Sequence, residues 1–165
     1  MDINKAILSY QKGDEASFNY LYNKTYKLVR IAIYSYISAK ETVEDLIQDV
    51  YLKVSNTLKE FTPTNFNAYI YTIAKNKALD YLKKKSTIHT DEIYLKTEIS
   101  NPYLNYAINH LEALEKEVFL MKVLCGHTSK KIASILDINS SKVNQLFYQA
   151  KNKLKKSLEE ENELF

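Results

Sequence analysis

Apolar residues recur at three- and four-residue intervals along most of this chain, and the points where the recurrence breaks mark out its elements. Residues 3–11 read as a short helix that ends at Gly13, and Asp14 is placed to cap a long amphipathic segment running towards Ser38. The stripe of that segment is Phe18, Leu21, Tyr22, Leu28, Val29 and Ile33. A third helix is predicted over residues 41–58, with Val43, Leu46, Ile47, Val50, Leu52 and Val54 available for packing. Residues 60–65, which contain Pro63, break the pattern before a fourth helix over 66–85. Its stripe is Phe66, Tyr69, Ile70, Ile73, Ala74, Tyr81 and Leu82. These four helices make one module, residues 1–85.

Residues 86–103 lose the periodicity and read as a linker rich in Ser, Thr, Asn and charged residues. Helical spacing resumes at Leu104 and defines a second module, residues 104–165: Leu111, Leu114, Val118, Phe119, Met121 and Leu124, with Gly126 as a helix stop. After Thr128 come a short apolar helix, SKKIASILD, a three-residue turn and a longer helix opening at Ser140 or Ser141. Ile132, Ala133, Leu136, Ile138, Val143 and Phe147 fall where two such helices pack. Asp137 stands at the turn position where glycine is commonest, and aspartate tolerates the left-handed conformation there. The pattern fits a helix-turn-helix; a plain helical hairpin is the alternative.

Composition narrows the class. Two glycines and two prolines in 165 residues starve the chain of tight turns and favour an all-α fold of two small domains. A 45% hydrophobic content is ample for compact cores. No apolar run reaches membrane-spanning length and Met1 leads into a polar helical segment, so a cytoplasmic protein without membrane insertion is expected. Cys125, the single cysteine, sits in an apolar run and reads as a small core residue. His89, Asp91 and Glu92 lie close in sequence but in the linker, far from His110 and His127. No nucleophile elbow, phosphate-cradling glycine loop or paired-cysteine motif occurs, so neither an enzyme nor a cofactor is expected.

The net charge of +3 matters less than its segregation. Asp45, Gln48, Asp49 and Leu52 share one helical stripe, a face suited to a basic protein partner, although a solvated acidic face has the same pattern. The fourth helix carries Lys75, Asn76, Lys77, Lys83, Lys84 and Lys85 against the single acid Asp80, with Tyr71 among them. Lysines that neutralise phosphates, beside rings and amides that meet bases, suit nucleic acid; a core helix with a solvated lysine face is the alternative. The last helix exposes Ser141, Lys142, Asn144, Gln145, Tyr148 and Gln149, and amides suit adenine edges in a major groove. Arg30 is the only arginine, so phosphate contacts would be point charges, not bidentate forks.

In this order the segments resemble the RNA polymerase sigma factors of the extracytoplasmic-function type, over nearly the whole chain. QKGDEASFNYLY (residues 11–22) is similar to the family's opening helix, VEDLIQDVYLKV (43–54) to its core-polymerase-binding helix and FNAYIYTIAKNKALDYLKKK (66–85) to its promoter-melting helix. ALEKEVFLMKVLCGHTSKKIASILDINSSKVNQLFYQAKNKLKK (113–156) is similar to its minus-thirty-five-binding domain. The chain departs from the family pattern in having Leu114-Glu115 for a Leu-Pro step, Lys130 and Lys131 for acids, Leu146 and Gln149 for arginines, and Tyr69 where a tryptophan is usual.

The resemblance implies roles. Asp45, Leu46, Gln48, Asp49 and Leu52 would dock on the β′ clamp helices of core polymerase, whose β flap is a second implied contact. Tyr69, Lys75, Asn76, Lys77, Asp80, Tyr81, Lys83, Lys84 and Lys85 would hold minus-ten DNA, with residues 60–65 helping to form a pocket for a flipped base. Ser141, Lys142, Asn144, Gln145, Tyr148 and Lys151 would contact the minus-thirty-five element. An anti-sigma partner is implied by the family alone. The alternative is a helix-turn-helix regulator that binds polymerase or DNA without supporting initiation.

Overall fold

The computed structural model describes residues 2–86, 108 and 110–162, and among them it has seven α-helices and no strand. The all-α expectation holds. The chain divides into two compact units, Met1–Lys96 and Thr97–Phe165. The expected linker over residues 86–103 lies almost wholly outside the described residues, as do Leu104 and the cluster His89, Asp91 and Glu92.

Four helices build the first unit: α1 (Ile3–Gln11), α2 (Glu15–Tyr34), α3 (Lys40–Leu58) and α4 (Phe66–Ser86). Gly13 takes φ +95°, where a side chain would be strained, and so lets α1 turn directly into α2. The Asp14 carboxylate then accepts from the Ala16 N–H at 3.1 Å and the Ser17 hydroxyl at 2.6 Å, the expected cap. α2 stops at Tyr34, short of Ser38, because the Ser35 hydroxyl turns back to the Ala32 carbonyl at 2.7 Å and the following N–H groups close on Ile33.

α4 packs against both α2 and α3, and α1 against α2. Polar contacts fix the register. The Gln11 amide donates to the Leu58 carbonyl at 2.9 Å and the Thr62 hydroxyl at 3.0 Å, tying α1 to the loop that launches α4. Buried Thr25 and Tyr51 pair through their hydroxyls at 3.0 Å, and burial pushes the Tyr51 phenol well above its ordinary range.

The second unit contains α5 (Ala113–Val123), α6 (Ser129–Leu136) and α7 (Ser140–Asn162). Gly126 at φ +66° follows α5, and the Thr128 hydroxyl accepts from the Lys131 N–H at 3.2 Å to cap α6. Asp137 adopts φ 52° and ψ 48°, the left-handed turn expected of it. Asn139 opens α7 by accepting from the Lys142 N–H at 2.7 Å. Cys125 is buried, as its apolar neighbours indicate.

One inward position departs from the predicted stripe. Leu114 is exposed, and Glu115 is only 3% accessible. Its carboxylate accepts from the Glu112 N–H at 3.1 Å and pairs with Lys153 of α7 at 2.8 Å, so the charge is both capped and neutralised. Glu115→Ala should lower the unfolding midpoint of the second unit by the equivalent of about 1 kcal/mol, the usual worth of a lost cap. Glu115→Gln, which keeps an oxygen for the N–H, should lose less in thermal unfolding; equal losses would place the stabilisation in the Lys153 pair.

Candidate protein and nucleic-acid interfaces

The outer face of α3 follows from its helical wheel. Val43, Ile47, Val50, Val54 and Leu58 are buried, which leaves Asp45, Gln48, Asp49 and Leu52 pointing outward. Leu52 is 64% exposed and so belongs to this stripe, not to the core. Leu46 is the correction: at 8% exposure it packs beneath the stripe and can support the face without forming its contact surface. Two flanks differ in character. At the Asp49 edge stands α4, whose Lys77 ammonium meets the Asp49 carboxylate at 2.9 Å. At the Gln48 edge stands α2, where the Tyr26 hydroxyl donates to Glu44 at 3.4 Å and the Tyr22 ring lies 4.5 Å from that of Tyr51. Partial burial and the Glu44 charge together raise the Tyr26 phenol, so it stays a donor.

On α4 the outward line is Thr72, Asn76, Asp80 and Lys83, with Tyr69, Lys75, Lys77 and Tyr81 half-buried beside it and Lys84 and Lys85 exposed at the end. Lys83, Lys84 and Lys85 occupy the last turn, where the helix dipole favours cations. Asn65 accepts from the Ala68 N–H at 3.0 Å and anchors the start of the helix. Two assignments change. Tyr71, expected on the lysine face, is 2% exposed, and Leu82, expected in the stripe, is exposed. Because α4 lies against two helices, its buried arc is wide enough to take in position 71. The Tyr81 hydroxyl lies 3.5 Å from that of Thr42, tying the end of α4 to the start of α3.

The loop adds a residue that sequence reading passed over. Phe61 is exposed and its ring centroid is 5.7 Å from that of Tyr69, giving two aromatic surfaces at the head of the lysine face. A lone aromatic in the polar break just before Pro63 is the signal in the sequence.

In the second unit, α7 follows the turn after α6 with Val143 and Leu146 inward. Ser141, Lys142, Asn144, Gln145 and Lys151 are exposed, and Tyr148 is 67% exposed. Phe147 is only half-buried and stacks on Phe119 with centroids 6.0 Å apart. Buried Leu146 holds a packing position, so an arginine's absence there removes no surface charge. Asn144 is partly engaged within the unit: its oxygen accepts from the Ser129 hydroxyl at 2.6 Å, which in turn receives Lys122 at 2.5 Å. Its amide hydrogens remain the groups available for base edges. The Lys151 ammonium lies 5.8 Å from the centre of the Phe147 ring, within cation–π range, which holds it against the helix root. His127 is pushed below its ordinary pKa by burial and by Lys131, and so is uncharged at neutral pH.

Among the described residues no cluster of three or more His, Cys, Asp or Glu is placed to hold a metal ion, and no helix is long and apolar enough to cross a membrane. The candidate surfaces are made of charged, amide and aromatic groups on helix faces.

The family model Sigma-70 region 2 matches residues 21–88, and that of Sigma-70, region 4 matches residues 103–154. The RNA polymerase sigma factor YlaC of Bacillus subtilis is 23% identical, across 93% of this chain and 92% of that protein. The ECF RNA polymerase sigma factor SigX of the same organism is 22% identical, across 88% and 85%. The solved structure of the sigma factor RpoE in complex with the anti-sigma factor NepR from Bartonella quintana superposes with a TM-score of 0.62 at 19% identity, covering 86% of this chain and 96% of that one. With region 2 on the helices that carry the acidic and lysine faces and region 4 on the helix-turn-helix, the chain belongs to the extracytoplasmic-function sigma factors, the RNA polymerase subunits that direct transcription initiation at promoters.

Proposed function

We propose that residues 1–85 hold core polymerase and minus-ten DNA, that 104–165 bind the minus-thirty-five element, and that 86–103 link them. The observation that carries this reading is the adjacency on one helical unit of an acidic, Leu52-tipped face on α3 and a lysine, amide and tyrosine face on α4, joined by Asp49–Lys77. Asp45, Gln48, Asp49 and Leu52 dock on the basic clamp helices of β′, with Leu46 supporting them from below. Lys75, Asn76, Lys77, Asp80, Tyr81 and Lys83, Lys84 and Lys85 track the phosphates and edge of the minus-ten region. Tyr69 and Phe61 stack on unpaired bases.

Melting then proceeds without a nucleotide cofactor. Contacts available only to the separated strand offset the unpairing cost of a few kcal/mol. Ser141, Lys142, Asn144, Gln145, Tyr148 and Lys151 meet the upstream element, Asn144 through its amide hydrogens. The protein acts as a specificity subunit in the cytoplasm, not as a catalyst. The RpoE structure, which holds an anti-sigma factor, supports a sequestering protein partner for this chain as well.

The deciding experiment is transcription of fragmented genomic DNA from the source organism by sigma-free core polymerase, with and without this protein. New starts sharing a two-part upstream motif are expected. Polymerase binding without any new start would favour a regulator that cannot initiate.

A further inference from the structure

The acidic stripe of α3 is bordered by cations on one side and by aromatic rings on the other. On the wheel, Lys53 follows Asp49 by one turn at the α4 edge, where Lys77 is already paired to Asp49 at 2.9 Å. A basic helix laid along the stripe meets like charge on that side. At the opposite edge, on the Gln48 side, the rings of Tyr22, Tyr26 and Tyr51 form a connected shoulder, with centroids 5.5 Å apart for Tyr22–Tyr26 and 4.5 Å for Tyr22–Tyr51. Tyr51 is buried, and Tyr26 is half-buried with its hydroxyl engaged by Glu44. Tyr22, expected in the packing stripe of α2, is instead the ring that remains open, 36% exposed.

We infer that Tyr22 extends the polymerase-docking surface onto α2, where its ring receives an arginine or lysine of the basic partner helix while Asp45 and Gln48 take neighbouring cations and donors. Packing on Tyr51 on one side and Tyr26 on the other holds the Tyr22 ring in place, and its open surface can receive a cation. The surface is continuous with the α3 stripe and matches the same partner in charge. It therefore rests on the docking assignment made above, and it sets the side towards which the partner leans: α2, away from Lys77.

The test measures affinity for core polymerase by titration with Tyr22→Phe, Tyr22→Leu and the Asp45→Lys, Asp49→Lys double variant, alongside thermal unfolding of each. Tyr22→Phe keeps the ring and should bind within twofold of the parent. Tyr22→Leu keeps apolar packing on Tyr51 but loses the π face, and should bind about fivefold more weakly with an unchanged unfolding midpoint. Parent-like binding by Tyr22→Leu while the double variant fails to bind would overturn the tyrosine shoulder and leave the acidic docking face standing. Parent-like binding by both would overturn the docking assignment as well. Should Tyr22→Leu unfold, Tyr22→Trp decides: the stronger ring should tighten binding, and unchanged or weaker binding would refute the contact.

Discussion

Reversing both carboxylates of the docking stripe, Asp45→Lys with Asp49→Lys, should weaken binding to core polymerase by about a hundredfold or more, the scale expected when charges central to a complementary interface are reversed. Both side chains are exposed, so the fold has little to lose. The one ion pair sacrificed, Asp49–Lys77, joins side chains that are 53% and 33% exposed, and pairs of that kind contribute at most about 1 kcal/mol. The thermal midpoint should stay close to the parent's, and affinity for a single-stranded minus-ten oligonucleotide should not fall, since positive charge has been added. Unchanged affinity for core in a titration would sink the docking assignment. The single variant Leu52→Ser separates charge from shape: it should weaken binding without altering its salt dependence, because Leu52 presents only apolar surface.

The outline of this molecule was legible because its helices announce their ends. Asp14 caps α2 through Ala16 and Ser17, Gly13 and Gly126 take positive φ, and Asp137 makes the left-handed turn of the helix-turn-helix. The four-residue stripe Asp45, Gln48, Asp49, Leu52 was legible for a related reason, since a single buried arc on α3 leaves the opposite positions no choice but solvent. What escaped were positions decided by a second neighbour. Tyr71 is drawn inward because α4 packs on α2 and α3 together, and periodicity alone cannot give the width of a buried arc. Glu115 takes the place expected for Leu114 because Lys153, 38 residues later, neutralises it. Leu46 is buried, as its place in the α3 packing pattern predicts, and only the family resemblance gave it a docking role. The Asp49–Lys77 bridge, which joins a proposed polymerase contact to a proposed DNA contact, depends on helix adjacency across 28 positions and has no local signature.

That bridge shapes the second large effect. Lys75→Ala with Lys77→Ala should reduce open-complex formation by about tenfold while core binding changes far less, because both lysines stand on α4, where they would meet phosphates of the separated strand rather than the polymerase. The salt dependence of single-strand binding gives the sharper reading: each lysine lost from a phosphate should flatten the slope of log affinity against log salt by about 0.7. The two single variants should not behave alike. Lys77→Ala releases the Asp49 carboxylate for a basic partner and should leave core affinity equal or slightly tighter, a gain that Lys75→Ala should not show. If instead the double variant loses core binding and melting in equal measure, the α3–α4 packing has been disturbed and the lysines carry no separate role in DNA. If melting is lost with the salt slope unchanged, the contribution of this face lies in its rings and amides, Tyr69, Asn76 and Tyr81, and the lysines are a solvated border beside them.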